Sequence, residues 1–208
     1  MKRVLVVMFF LLSLSTAAWA DYEAAMAAYK NADYAAALKE LQPLADQGDA
    51  KAQNTLGWMY REGQGVTKDT NEALKWFEKA AAQGFAKALN NLGIIYEKGI
   101  GVEPDGAGAL KWYQKAADQG DPWGQCNLGM LYLGDKGVPQ NYPEAVKWLR
   151  RAADQGLPKA QFQLGLMYEQ GLSVPKDQAE AAKWYQKAAD QGFGEAKAKM
   201  ETGKSKAQ

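Results

Sequence analysis

The chain repeats itself every 36 residues. Gly48, Gly84, Gly120, Gly156 and Gly192 share one register. Gly57, Gly93, Gly129 and Gly165 share a second, and Tyr60, Tyr96, Tyr132 and Tyr168 a third. Trp76, Trp112, Trp148 and Trp184 keep the same step. A fixed period in the range of about 20–50 residues means stacked supersecondary units, none of which can bury its apolar side alone. Such arrays present a long continuous surface whose usual role is to hold another molecule.

One period, Ala50 to Gly84, shows what the unit is. Ala52, Leu56, Met59 and Tyr60 fall on one side of a helix running from Ala50 to about Glu62. Gly63-Gln64-Gly65 ends it, as glycine does at helix C-termini. Asp69 and Glu72 form a capping box for a second helix, whose apolar stripe is Ala73, Trp76, Phe77, Ala80 and Ala81. Asp33, Asp69, Asp105, Asn141 and Asp177 occupy one register, each able to accept from free N–H groups at a helix start. Each unit is therefore expected to be a helix hairpin, and the chain an all-α solenoid of antiparallel hairpins. Gly57 and its equivalents sit mid-helix, where glycine costs about 1 kcal/mol against alanine. Their recurrence points to helices packed too closely for a side chain. The tryptophan register lies on the apolar stripe and is expected in the core rather than in an aromatic binding ladder.

Before the repeats, Lys2 and Arg3 precede an apolar run from Val4 to Leu14, and Ala18-Trp19-Ala20 supplies small residues where a signal peptidase reads. The run is about half of the ~20 residues a spanning helix needs. Residues 1–20 are thus expected to be a cleaved secretory signal, with the cut between Ala20 and Asp21 and a periplasmic or secreted, not membrane-spanning, product. The remaining divisions are 21–49, a divergent N-terminal helix pair; 50–193, the repeat array; and 194–208, a truncated closing helix with a polar tail. Removing Lys2 and Arg3 from 25 basic residues leaves 23 against 24 acidic ones, a net charge near −1. Nucleic-acid binding wants a basic excess, which is not there.

Several chemistries lack their residues. The chain has no histidine and one cysteine, Cys126, which removes Cys–His and Ser–His–Asp catalysis and His/Cys zinc sites. No cofactor is expected. The glycine pairs at 63–65 and 99–101 lack the lysine of a phosphate loop and recur with the period, so they read as turns. Cys126 cannot form an internal disulfide. It reads either as a reactive thiol or as a quiet residue, and Gln125, Asn127 and Leu128 beside it supply no cation.

These residues resemble the Sel1-like repeat family. Its pattern is an Ala, then Leu-Gly-x-x-Tyr-x-x-Gly, then Ala-x-x-Trp-x-x-x-Ala-Ala ending in Gln-Gly. Here it reads Ala52, Leu56-Gly57, Tyr60, Gly63, Ala73, Trp76, Ala80-Ala81 and Gln83-Gly84. It returns from Ala88 to Gly120, from Leu128-Gly129 to Gly156, and from Leu164-Gly165 to Gly192. Gly124 replaces the first Ala of the third copy, Gly134 shifts its turn glycine, and Ser173 replaces a turn glycine in the fourth. A tetratricopeptide repeat would have a 34-residue period and a Trp three positions before the Leu-Gly pair. Those positions are Gln53, Leu89, Gln125 and Gln161.

The resemblance implies a right-handed superhelix whose concave face is lined by the first helices, on the arc opposite their core face. That arc carries Lys51, Asn54, Trp58 and Arg61 in the first unit and Lys87, Asn90, Ile94 and Glu97 in the second. The third gives Trp123, Cys126, Met130 and Leu133, and the fourth Lys159, Phe162, Leu166 and Glu169. Trp58, Ile94, Trp123, Cys126, Met130, Leu133, Phe162 and Leu166 are its apolar members and the expected partner-binding residues. Burial of these positions against adjacent repeats is the other reading of the same pattern.

The function implied is a non-catalytic adaptor that holds a protein or peptide partner in the cell envelope. Two alternatives accompany it. Cysteine-rich Sel1 proteins have been labelled β-lactamases or penicillin-binding enzymes, but their repeats each carry a cysteine pair, and no Ser-x-x-Lys motif is present here. A peptidoglycan assembly factor is the other alternative.

Overall fold

The computed structural model describes residues 22–134 and 137–205. The expected signal segment, 1–20, lies outside the described residues. Those residues hold eleven helices and no strand. The helices are α1 (22–30), α2 (Tyr34–Asp46), α3 (Ala50–Glu62), α4 (Thr70–Ala82), α5 (Ala86–Lys98), α6 (Gly106–Asp118), α7 (Pro122–Leu133), α8 (Tyr142–Asp154), α9 (Pro158–Gln170), α10 (Gln178–Asp190) and α11 (Gly194–Ser205). The fold is all-α, a helix-hairpin solenoid by class, and the chain divides into two compact units between Ala88 and Leu89.

The second helices start where their caps are. Asp33, Asp69, Asp105, Asn141 and Asp177 each accept a hydrogen bond from the backbone N–H three residues on, at 2.9–3.1 Å. Asp49 and Asp121 do the same for α3 and α7. Such a cap satisfies one of the four N–H groups a helix start leaves free, worth about 1 kcal/mol. The loops turn through left-handed residues, with Gly65, Gly101 and Gly137 at φ +71°, +73° and +75°. Ser173 holds the equivalent place at φ +55° without glycine's freedom.

In the first unit, α3 packs on α2 and α4. Ala37, Leu41, Ala52, Leu56 and Met59 are fully buried, and Trp76 nearly so. In the second unit, one cluster joins Tyr113, Leu128, Leu131 and Trp148, and another joins Leu149, Leu157, Leu164, Met167 and Trp184. Trp76, Trp148 and Trp184 are 4–5 % exposed, so the tryptophan register is core at these three positions; Trp112 is half-buried. A cation three residues on lies over the ring in each hairpin: Lys79 on Trp76 at 3.8 Å, Lys115 on Trp112 at 4.7 Å, Arg151 on Trp148 at 4.6 Å and Lys187 on Trp184 at 3.9 Å.

The mid-helix glycines are where the helices of a hairpin touch. A Cβ on Gly57 would lie 2.7 Å from the Phe77 ring, and one on Gly93 would lie 2.4 Å from the Tyr113 ring. On Gly165 it would meet Tyr185 at 2.6 Å. The expectation of close approach holds, and its partner is an aromatic ring on the second helix at these three positions and Leu149, at 2.7 Å, for Gly129. Three of the four positions where a tetratricopeptide unit would carry Trp hold a buried glutamine instead, and the fourth holds the buried Leu89. Gln53 donates to the Ala45 carbonyl at 3.0 Å and accepts from Gln83 at 2.8 Å. Gln125 and Gln161 repeat the arrangement with Ala117 and Gln155, and with Ala153 and Gln191. Each glutamine adds a second donor to a carbonyl at the end of the preceding helix, which already accepts from the backbone N–H of Gly48, Gly120 or Gly156.

Candidate partner-binding groove

The second unit contains a cleft of about 570 Å³ along its first helices. On α7, Trp123, Asn127 and Met130 fall at i, i+4 and i+7, which is one stripe of a helix, and Gly134 follows at its C-cap. The neighbouring wall is Asn90, Ile94, Glu97 and Lys98 of α5, and α9 adds Lys159 and Gln163. Leu133 and Tyr113 complete the lining. Trp123 is the one large hydrophobic residue that stands open, at 50 % exposure among the described residues.

Two amides bridge the walls, Asn127 Nδ2 donating to Asn90 Oδ1 at 2.9 Å. Tyr113 rises from α6 behind α5 and donates its hydroxyl to Glu97 Oε2 at 2.7 Å. Burial, and after it the Glu97 carboxylate, push the Tyr113 hydroxyl well above the ordinary tyrosine range. That group stays neutral and keeps donating. Lys98 and Lys159 make no ion pair among the described residues. The cleft thus combines an apolar floor, an amide pair, one engaged carboxylate and two free ammonium groups. No group of His, Cys, Asp or Glu among the described residues is arranged to hold a metal ion.

Of the eight residues expected to bind a partner, Ile94, Trp123, Met130 and Leu133 come together here. Trp58 belongs to the first unit, half-buried, with Phe77 edge-on at 6.1 Å and Arg61 over its ring at 4.3 Å. Cys126 requires correction. It is fully buried, in the cluster that includes Ala145, Leu149 and Leu164, so it cannot touch a partner. Burial also pushes its thiol up to about 11, against a weaker opposing pull from Lys159. The quiet reading of this residue is the right one. Phe162 is half-buried and does not line the cleft; its ring packs against Tyr185 and Phe193, each 5.5 Å away, under α11. Leu166 is half-buried on α9 and does not line the cleft.

Cys126 and Phe162 share the register of Asn54 and Asn90, which are 9 % and 8 % exposed. Cys126 and Asn90 of this register are buried, although Asn90 still reaches the cleft wall. The open stripe is therefore turned by part of a residue, bringing in Asn127 and Gln163 in place of Cys126 and Phe162. Asn127, Gln163, Lys98 and Tyr113 were not anticipated as site residues. A helical wheel of one helix cannot find them, because it does not contain the neighbouring helices.

A family model described as the Sel1 repeat matches residues 50–85, 86–121, 124–157 and 158–193. A Sel1 repeat protein from Oxalobacter formigenes superposes with a TM-score of 0.77 at 40 % identity, covering 85 % of this chain and 70 % of that one. A protective antigen present in uropathogenic Escherichia coli strains, displaying an SLR fold, gives 0.75 at 36 % identity. That match covers 88 % of this chain but 40 % of the antigen's, so this chain spans well under half of it. Yeast Tom70 superposes at 0.65 with 17 % identity over 90 % of this chain and 40 % of its own, a likeness of fold alone. No curated protein matches the chain.

Proposed function

The chain belongs to the Sel1 repeat family, and from that premise we propose that it is a non-catalytic, exported adaptor that holds a protein partner in the cell envelope. Repeat proteins of this kind typically serve as scaffolds for protein–protein interaction, using the extended surface that stacking creates. No helix of the described residues is long and apolar enough to cross a membrane. The reading is carried by the cleft on α5, α7 and α9, where the most exposed large apolar side chain of the described residues, Trp123, borders Ile94, Met130 and Leu133. An aromatic rim over an apolar floor is what a binding centre needs, since such anchors carry most interface energy. Export rests on the basic start, short apolar run and Ala18-Trp19-Ala20.

The test is a photocrosslinking residue placed at Trp123 in living cells, with an equivalent placed at Lys111, exposed on α6. Trp123 should yield discrete adducts with an envelope protein, and Lys111 should not. Identical adducts from both positions, or none from Trp123, would remove the groove from the function. Sequencing the mature protein tests export separately, with an N-terminus at Asp21 expected.

A further inference from the structure

We propose that the cleft takes one chemical class of partner: an extended polypeptide segment in which an acidic side chain lies a few residues from an apolar one. The inference rests on the scaffold reading above and specifies its occupant.

Charge is the first reason. The only carboxylate lining the cleft, Glu97, is already engaged by the Tyr113 hydroxyl. Both lining cations, Lys98 and Lys159, lack an acidic partner among the described residues. The unmet charge is positive, and it stands beside apolar surface that lowers the local dielectric and strengthens a charge pair. Lys159 is half-buried at the start of α9, while Lys98 is exposed at the end of α5. Lys159 is therefore the cation whose pairing water would screen less.

The amide pair gives the second reason. Asn90, 8 % exposed, uses its Oδ1 to accept from Asn127 Nδ2, the one described hydrogen bond of its side chain. Its own NH₂ and the Asn127 carbonyl are left as one donor and one acceptor in the cleft wall. A peptide unit offers the complementary acceptor and donor. An extended strand then sends alternate side chains to opposite sides. Those directed into the cleft meet Ile94, Met130 and Leu133, with Trp123 at the rim. Backbone pairing supplies affinity, while the apolar floor and Lys159 supply selection.

The experiment is selection from a positional-scanning library of N-acetylated, C-amidated octapeptides on the protein beginning at Asp21. Blocked ends make every carboxylate a side chain. Asp or Glu should be enriched at a fixed spacing from Leu, Met or Phe. Lys159→Glu should weaken the selected acidic peptide about tenfold or more, as loss of a partly desolvated pair does, and should shift selection to Lys or Arg at that position. Asn127→Ala should weaken binding about tenfold whether or not the acid is present. Lys111→Glu should change nothing. Enrichment without an acidic residue, or an unaltered acidic preference in Lys159→Glu, overturns the proposal. An empty selection also overturns it, and leaves the scaffold reading standing if Trp123 still crosslinks a protein in cells. Selected peptides without any crosslinked protein would do the reverse.

Discussion

Tyr113 donates its hydroxyl to Glu97 at 2.7 Å, across the gap between the two helices of one hairpin. Two repeats later Tyr185 does the same to Glu169 at 2.8 Å. Where the second-helix residue cannot donate, the first-helix residue changes with it: Phe77 faces the register of Arg61, and Leu149 that of Leu133. The pairing ties the wall of the groove to the core beneath it.

Tyr113→Phe should cost about 1–2 kcal/mol, the worth of a hydrogen bond to a charged acceptor that keeps some solvent. Its raised pKa also has a pH consequence. A tyrosine held neutral in the folded protein contributes fully below the unfolded value of about 10, and that contribution is lost as pH rises above it. Urea unfolding at pH 8 and at pH 11 should show a steeper alkaline loss in the wild type than in Tyr113→Phe. Equal losses would mean that the hydroxyl is not held neutral.

Gly93→Ala should destabilise by about 1–3 kcal/mol, since the new Cβ would lie 2.4 Å from two Tyr113 ring atoms. Gly194→Ala, the same change with nothing within 4 Å of the added atom, should be neutral or stabilising by up to about 1 kcal/mol. Thermal melts of the two variants should move in opposite directions.

These contacts show what was legible and what was not. The 36-residue period, the Asp and Asn caps and the mid-helix glycines are local signals, and each returned as a helix start or a close approach in the structure. The orientation of the binding face was not local. Cys126 and Phe162 look exposed when α7 or α9 is drawn alone, because a wheel shows only the second helix as a neighbour. In the stack a first helix also meets the first helices beside it, as the Asn127–Asn90 bond records for α7 and α5. The face left open is narrower, and it passes through Asn127 instead.

Ser173 stands at φ +55°, where the corresponding residues of the other repeats are glycines. A left-handed backbone costs a non-glycine residue about 1–2 kcal/mol. Ser173→Gly should raise stability by up to about 1 kcal/mol, because glycine's larger unfolded-state entropy offsets part of the relief. Denaturant midpoints of the two proteins check this directly.

The Cys126 thiol is fully buried and pushed up to about 11, so thiolate is scarce at pH 8. A thiol-reactive disulfide reagent should leave the native protein unmodified at that pH and label it once denaturant is added. Rapid labelling of the native protein would show that the α7–α8–α9 core opens easily.

The groove is tested most directly by methyl NMR of protein carrying ¹³C-labelled methionine, titrated with the envelope protein captured through Trp123. Met130 lines the cleft, whereas Met59 and Met167 are 0 % and 1 % exposed in the core. On binding, the Met130 signal should shift or broaden while those of Met59 and Met167 stay in place. A bound partner that leaves Met130 unmoved would contradict the groove as the place where this protein holds its partner.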